Sequence, residues 1–367
     1  MKMQMRAGAI AILLAVNLMP TAAEALSTTV NCPTQSIVAA VNAGFDEITI
    51  VGTCTENVGI QQDDVTLQGG GSGGTVIGEL FVTGAHRVTI QNLTISGGSG
   101  HGIAAVDGAA VAVTNVTING VGDTGIVATN GSFINVNGAT VQNSGGGTGI
   151  TVDMGSQAVI AGSTIRNNSS TGISVLRGGI VTLAGTTIAG SPEGLALNTH
   201  AMGWLNGNTI TTSASDDSSA LDMDWGSTAR LNGGNTLTSA GNALFMRQGT
   251  TLNQRNGDAI NGPIFIDGLS NAEFRDVSIN GDVQVVDHSV LRMKDQSGSL
   301  VHVSLTGNTG VSEDSGLNFI KDQGDERVRV VGNITCADTK SSLSALPTNV
   351  SISGKTKGCA GYSNATN

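Results

Sequence analysis

The stretch VTIQNLTISGG, Val88–Gly98, holds two short segments of alternating apolar and polar residues, hinged at Asn92 and closed by a pair of glycines. Alternation with a period of two is the pattern of a strand with one buried face. Each segment is too short to be a helix, so the unit reads as two strands joined by a bend. VAVTNVTI, Val111–Ile118, repeats the arrangement.

Working outward, the apolar residue that ends NLTI recurs as Ile95, Ile118, Val141, Ile165, Ile188, Ile210, Leu237, Ile260 and Ile279, at intervals of 19 to 27 residues, four of the eight being 23. A second anchor, following glycine in the first coils, gives Ile103, Ile126, Ile150, Ile173, Leu195, Leu221, Leu244 and Ile264 at matching intervals. Two registers in step mean that one structural unit repeats. No helix-length segment intervenes to make a βαβ crossover. What remains is a solenoid in which every strand pairs with its equivalent one coil later, each coil advancing by roughly 4.8 Å.

Composition agrees. With 53 glycines, 5 prolines, 3% aromatic and 12% charged residues, the chain suits a turn-rich β fold and not a helical bundle. A net charge of -11, with no basic stripe along the sequence, argues against nucleic acid or an anionic membrane as a general partner. A polyanionic glycan would need a local patch or a bridging cation. At the N-terminus Lys2 and Arg6, the apolar run Ala7–Met19 and Ala23-Glu24-Ala25 have the layout of a cleavable signal over residues 1–25. No apolar run approaches the roughly 20 residues of a membrane span. The expectation is a secreted or periplasmic protein without membrane insertion, cleaved near Ala25.

The motifs ITIVGTCTENVGI, VTIQNLTISGG, TGIVATNGS, TGITVDMGS and TGISVLRGG resemble the right-handed parallel β-helix proteins of the pectin-lyase-like superfamily, from about Val30 to at least Val303. The expected fold is therefore all-β, a right-handed parallel β-helix (solenoid) of about 23 residues per coil with a short N-terminal capping helix. Such motifs specify fold and not function, because the superfamily holds lyases, hydrolases, epimerases, tailspikes and proteins without known activity. The expected organisation is an N-terminal cap with helix and first coil over 26–60, the β-helix over 61–335 and a C-terminal cap over 336–367. SIVAAVNAG, Ser36–Gly44, supplies the helix, with Ser36 as N-cap and Ile37, Ala40 and Val41 on one face. Cys32 and Cys54, and Cys336 and Cys359, are each about one coil apart, so each pair falls on neighbouring coils within disulfide reach. Pairing across the groups would span most of the solenoid. Four free buried thiols are the alternative.

Columns locate candidate chemistry. Two residues after the second anchor stand Ala105, Ala128, Val152, Val175, Leu197, Met223, Met246 and Ile266, which point inward, so the residues between them point outward. One outward column reads Ala104, Val127, Thr151, Ser174, Ala196, Asp222, Phe245, Phe265; the other reads Val106, Thr129, Asp153, Leu176, Asn198, Asp224, Arg247, Asp267. The register gathers Asp222, Asp224, Arg247 and Asp267 as candidate catalytic residues, with Phe245, Phe265, Asn198 and Trp225 as sugar contacts. Two carboxylates at this range suit glycoside hydrolysis as acid and base or nucleophile. The resemblance to pectate lyases implies a second arrangement, in which the carboxylates hold Ca²⁺ against a uronate and Arg247 removes a proton. A salt-bridge ladder between coils is the structural alternative.

Other signals are weaker. Gly100-His101-Gly102 resembles the active-site loop of polygalacturonases, yet His101 occupies the repeat position of Thr124, Thr148 and Thr171, and the accompanying Asn-Thr-Asp, paired aspartates and Arg-Ile-Lys do not appear in order. The Arg-x-Pro-x-x-Arg run of pectate lyases and the Asp-Pro-His-Asp run of alginate epimerases are also missing. Asp216 and Asp217 read as a solvated turn, and Arg292, Lys294, Lys321, His200, His288 and His302 are scattered. The expected function is an exported protein that binds a polysaccharide along its outward strand face, as a lyase or glycoside hydrolase if it cuts. The alternative is a non-catalytic surface or matrix scaffold for glycan or protein.

Overall fold

The computed structural model describes residues 25–294, 303–320, 328–338, 340–344 and 350–359. The expected signal segment, apart from Ala25, lies outside them, as do His302 and Lys321. Among the described residues the chain forms a parallel β-solenoid with strands in two sheets of 27 and 14, every pairing parallel and in coil-to-coil register. The smaller sheet makes face one, built from strands such as Ile126–Ala128. The larger bends along its length into face two, with strands such as Ala110–Thr114, and face three, with strands such as Thr117–Asn119.

The sequence supplies the corners. Between faces two and three a single residue adopts a left-handed conformation, Asn92 at φ 53° and Asn115 at φ 53°, a region asparagine tolerates better than branched residues. Between faces one and two, most coils place two successive residues at positive φ, as in Asn130 and Gly131 or Met154 and Gly155. The Ser156 amide then donates to the Asp153 carbonyl at 3.1 Å, closing a type I′ turn. Each turn therefore fixes where the residue before it, in the second outward column, meets face one.

Inside, the expected inward column from Ala105 to Ile266 is fully buried. Its valine, leucine, methionine and isoleucine side chains each contribute about 1.5–3 kcal/mol on burial. Polar side chains serve the buried corners. The Asn208 amide donates to Asn235 Oδ1 at 3.0 Å, and the Asn235 amide donates to Asp258 Oδ1 at 2.7 Å. Ser270, Ser289 and Ser315 do the same for the amides of Thr250, Ser270 and Ser289.

The N-terminal end is covered by helix Ile37–Asn42, capped by Ser36, whose hydroxyl accepts from the Ala39 amide. Glu56 reinforces that end by accepting from Ser36 Oγ at 2.6 Å and from the Ile37 amide at 2.7 Å. Both local disulfides are present, Cys32–Cys54 and Cys336–Cys359, and neither pair is free. Strands Ser342–Ser344, Val350–Ile352 and Thr356–Lys357 extend the three ladders into the stretch expected as a C-terminal cap.

The reading that no basic stripe exists is corrected by this register. Arg230, Arg255, Arg275, Arg292 and Lys294, scattered in sequence, fall on the outward side of four successive face-two strands. A charge census along the chain misses them because winding brings together residues about one coil apart.

Asn235 joins three coils, so truncating it strands buried backbone and side-chain donors and acceptors. Asn235→Ala is expected to lower the unfolding free energy by about 2–4 kcal/mol, read from urea denaturation followed by circular dichroism.

Candidate functional site

Strand Ser219–Met223 carries Asp222 outward on face one, in register with Ala196 on the coil before and Phe245 on the coil after. Phe245 is in turn in register with Phe265. The two rings stand 5.4 Å apart at 42°, a tilted pair that stays half-exposed. Asp224, Arg247 and Asp267 follow their strands on successive rungs, their amides donating to Leu197, Met223 and Met246 at 2.9 Å.

Arg247 is the hub. Its Nη2 lies 3.5 Å from Asp222 Oδ1 and 3.2 Å from Asp224 Oδ2, and its guanidinium carbon sits 4.5 Å from the centre of the Phe245 ring. Both aspartate side chains are only 11% exposed, against 36% for Arg247. Burial pushes the Asp222 carboxyl up to about 6; Arg247 opposes the rise, and Glu193 and Asp224 add to it.

The two aspartates differ in kind. Asp224 belongs to a device that the solenoid uses twice. Asp153-Met154-Gly155-Ser156 and Asp224-Trp225-Gly226-Ser227 share a turn in which the aspartate accepts from the next amide, at 2.7 and 2.8 Å, and pairs with an arginine one coil later, Arg177 and Arg247. Asp222 has no such precedent. The preceding members of its column are Ala104, Val127, Thr151, Ser174 and Ala196, all uncharged.

The other expected residues are placed less centrally. Asp267 occupies the rung beyond Arg247 but forms no ion pair with it, since both ion pairs of Arg247 run back to the previous coil. Trp225 stands 59% exposed on the turn at φ 50°, beside the face and not on it. Asn198 is half-buried one rung before Asp224. His101 lies 3.5 Å from Asp123 on the next coil, and Asp216 and Asp217 are exposed in their turn. Glu193 was not singled out by sequence reasoning, although it continues the column of His101, Thr124, Thr148 and Thr171. It accepts from Thr171 Oγ1 at 2.8 Å and acts on Asp222 through its charge.

Beyond Phe265 the column continues with Gln284, Gly310 and Thr335. Nothing lies within 4 Å of where a Gly310 side chain would begin, and the missing side chain helps open a hollow of about 240 Å³ lined by Gln284, Val286, Gly310 and Ser312 among others. Face one thus runs from the aspartate pair across two rings to a depression.

The donor set does not suit Ca²⁺. Asp222 and Asp224 each direct an oxygen at the Arg247 guanidinium, and among the described residues no three His, Cys, Asp or Glu side chains are grouped to hold a metal. Also among the described residues, no helix is long and apolar enough to cross a membrane.

A family model described as a right handed beta helix region matches residues 38–159 and 148–321. No curated protein matches the chain. Among solved structures, the chain is similar to an alginate lyase from Paenibacillus sp. str. FPU-7, at 12% identity and a TM-score of 0.35, over 90% of this chain and 97% of that one.

A carboxyl whose pKa rises on folding, here from 3.8 to about 6, keeps its proton in the native state while the unfolded chain has lost it. Its presence therefore lowers stability as pH climbs through that window, and the deficit persists above it. Asp222→Asn is expected to raise the unfolding free energy at pH 7.5 by about 1–2 kcal/mol and to change it little at pH 4, measured by urea denaturation at both values.

Proposed function

The chain belongs to the right-handed β-helix family, and on that scaffold we propose that face one binds a polysaccharide chain, with Asp222 as its proton donor. The observation that carries this reading is Asp222 itself. It is the only charged residue among the column members from Ala104 to Phe265, it is held mostly out of water, and its carboxyl titrates near 6. A group with that pKa carries a proton in a useful fraction of molecules near neutrality and can also give it up.

The surroundings favour a sugar. Phe245 and Phe265 offer ring faces one and two rungs along, at a coil advance of roughly 4.8 Å that is close to the length of one pyranose unit. Carboxylate and guanidinium groups beside them match the hydroxyls of a glycan. In the cleavage reaction that we assign, Asp222 gives its proton to the glycosidic oxygen as the carbon–oxygen bond breaks. Water adds to the anomeric carbon, and Asp224 takes the proton that the water releases. Arg247, within 3.5 Å of Asp222 and 3.2 Å of Asp224, holds both acidic side chains in place.

A second reading, binding without cleavage, draws on the twin turn at Asp153 and Arg177, where the same ion pair stands without an aspartate equivalent to Asp222. In either reading the two disulfides support a place outside the reducing cytoplasm.

The test is a panel of neutral and acidic polysaccharides scored for retention by affinity electrophoresis and for new reducing ends. Phe245→Ala is expected to weaken retention about tenfold. Asp222→Asn is expected to abolish new reducing ends while retention persists. Retention by the unaltered protein without product selects the binding scaffold, and no retention on any polymer refutes both.

A further inference from the structure

Face two changes character along the solenoid. Its strands Ala110–Thr114, Phe133–Asn137, Gln157–Ala161, Ile180–Ala184 and Met202–Asn206 stack in parallel register over five successive coils. In each strand the second and fourth residues are buried and the first, third and fifth face outward. Five strands with three outward residues each give fifteen positions, and none is charged. Arg230 follows only on the next strand, in register with Trp204.

This surface mixes apolar side chains with amides. Phe133 and Met202 are 41% and 37% exposed, and Val159, Ile180 and Trp204 are half-exposed around them. Asn135, Asn137, Gln157 and Asn206 are exposed, and among the described residues their side chains find no hydrogen-bond partner. The corner that follows is low. Gly162, Gly185 and Gly207 form it at φ 53°, 57° and 64°, and nothing lies within 4 Å of where a side chain would begin. No side chain therefore rises from that edge of the strip on these three coils.

Size and charge decide what fits. Five rungs at roughly 4.8 Å, by five residues at roughly 3.3 Å, give a footprint of about 400 Å². A stable protein–protein interface covers about 800 Å² on each partner, so a second copy of the chain would need about twice this surface. A single polymer strand needs less. A polyanion would find no cation at these fifteen positions, whereas an uncharged sugar chain matches them: its ring faces lie against aromatic and aliphatic side chains, and its hydroxyls pair with amides, which both donate and accept.

We propose that face two, from Ala110 to Asn206, binds a neutral polysaccharide at a surface separate from the acidic site of face one. Phe133 and Trp204 stand three rungs apart, roughly 14 Å along the axis, a distance that about three sugar units span. Each end of that span has an aromatic ring with an exposed amide on the same strand, Phe133 with Asn135 and Trp204 with Asn206. Val159 and Ile180 form the floor between them.

The experiment is affinity electrophoresis of the full chain in gels holding hydroxyethyl cellulose, xyloglucan, galactomannan or, as the acidic comparison, polygalacturonate. At least one neutral polymer is expected to retain the protein in a way that Phe245→Ala changes less than about twofold, since that ring serves face one. The same retention is expected to change less than about twofold between about 50 and about 500 mM salt, because no ion pair forms. Trp204→Ala and Phe133→Ala are each expected to weaken it about fivefold, and the double variant about twentyfold or more. Circular dichroism and melting temperature establish that the solenoid is intact. Trp204→Phe, which keeps a ring in place, is expected to recover most of the affinity. Unchanged retention of every neutral polymer by the double variant overturns the proposal. So does retention by polygalacturonate alone. Loss of all retention on Phe245→Ala overturns it while leaving the face-one reading standing, and no retention by any polymer overturns both. A dimer in sedimentation velocity that Trp204→Ala dissociates overturns the choice of ligand in favour of a second copy.

Discussion

Everything in this molecule depends on hydrogen bonds between one coil and the next. Each strand satisfies its backbone donors and acceptors only through its equivalents on neighbouring rungs, so the repeat length must return the chain to the same place at every turn. That requirement falls hardest on the corners. There the backbone must bend sharply without abandoning its ladder, and left-handed residues such as Asn92, Asn115 and Gly131 make the bend at low steric cost. Where a corner turns an amide inward, an asparagine, serine or aspartate on the following coil supplies the acceptor, as Asn235 does for Asn208. The interior is consequently apolar along the strands and hydrogen-bonded at selected corners, and the two kinds of packing share one register.

A register of this kind turns sequence into columns, and columns into surfaces. Residues more than twenty positions apart become direct neighbours, so a substitution in one coil is felt mainly by the coil above and below. Asp222 shows the effect. On an isolated strand its carboxyl would be solvated; here Phe245 and Arg247 from the next rung and Glu193 from the previous one enclose it, and its proton is held into the range near 6. Arg247 does not cancel the burial, because one guanidinium is shared between two carboxylates. A site built this way is rigid, since its members are fixed by adjacent backbone rungs and not by flexible loops.

Much of the fold was legible because the repeat is loud. The anchors Ile95 and Ile103 and their successors gave the coil length; the Ser36 cap and the one-coil spacing of the cysteines gave the covered end and both disulfides. The outward columns also came through, since strand alternation fixes direction once the register is known, and the grouping of Asp222, Asp224, Arg247, Phe245 and Phe265 follows from it. What sequence could not supply was rank among these residues. The columns already set Asp153 and Asp224 together and left Asp222 without a charged predecessor, but that the two turns share one hydrogen-bond and ion-pair arrangement is seen only in the structure. Asp267 looked equal to its neighbours by column, but the arginine reaches backward along the ladder, a rotamer choice that no spacing encodes. The basic strip of face two escaped for a related reason: the columns were read for one face, and its cations lie on another.

Stacking like charges on adjacent rungs has an energetic consequence that bears on both surfaces. Two unit charges at about 4 Å repel by about 1 kcal/mol even at the dielectric constant of water, and by several times that where the protein excludes solvent. On face one the chain relieves the repulsion internally: Arg247 stands between Asp222 and Asp224, and protonation of Asp222 removes what remains. On face two Glu273 stands among the outward arginines and pairs with Arg275. Face one adds aromatic surface to its ion pairs, with Phe245 and Phe265 on the rungs that follow Asp222. One ladder of backbone hydrogen bonds therefore supports faces of different chemistry, and a linear polymer lying along face one would meet it in steps of one coil.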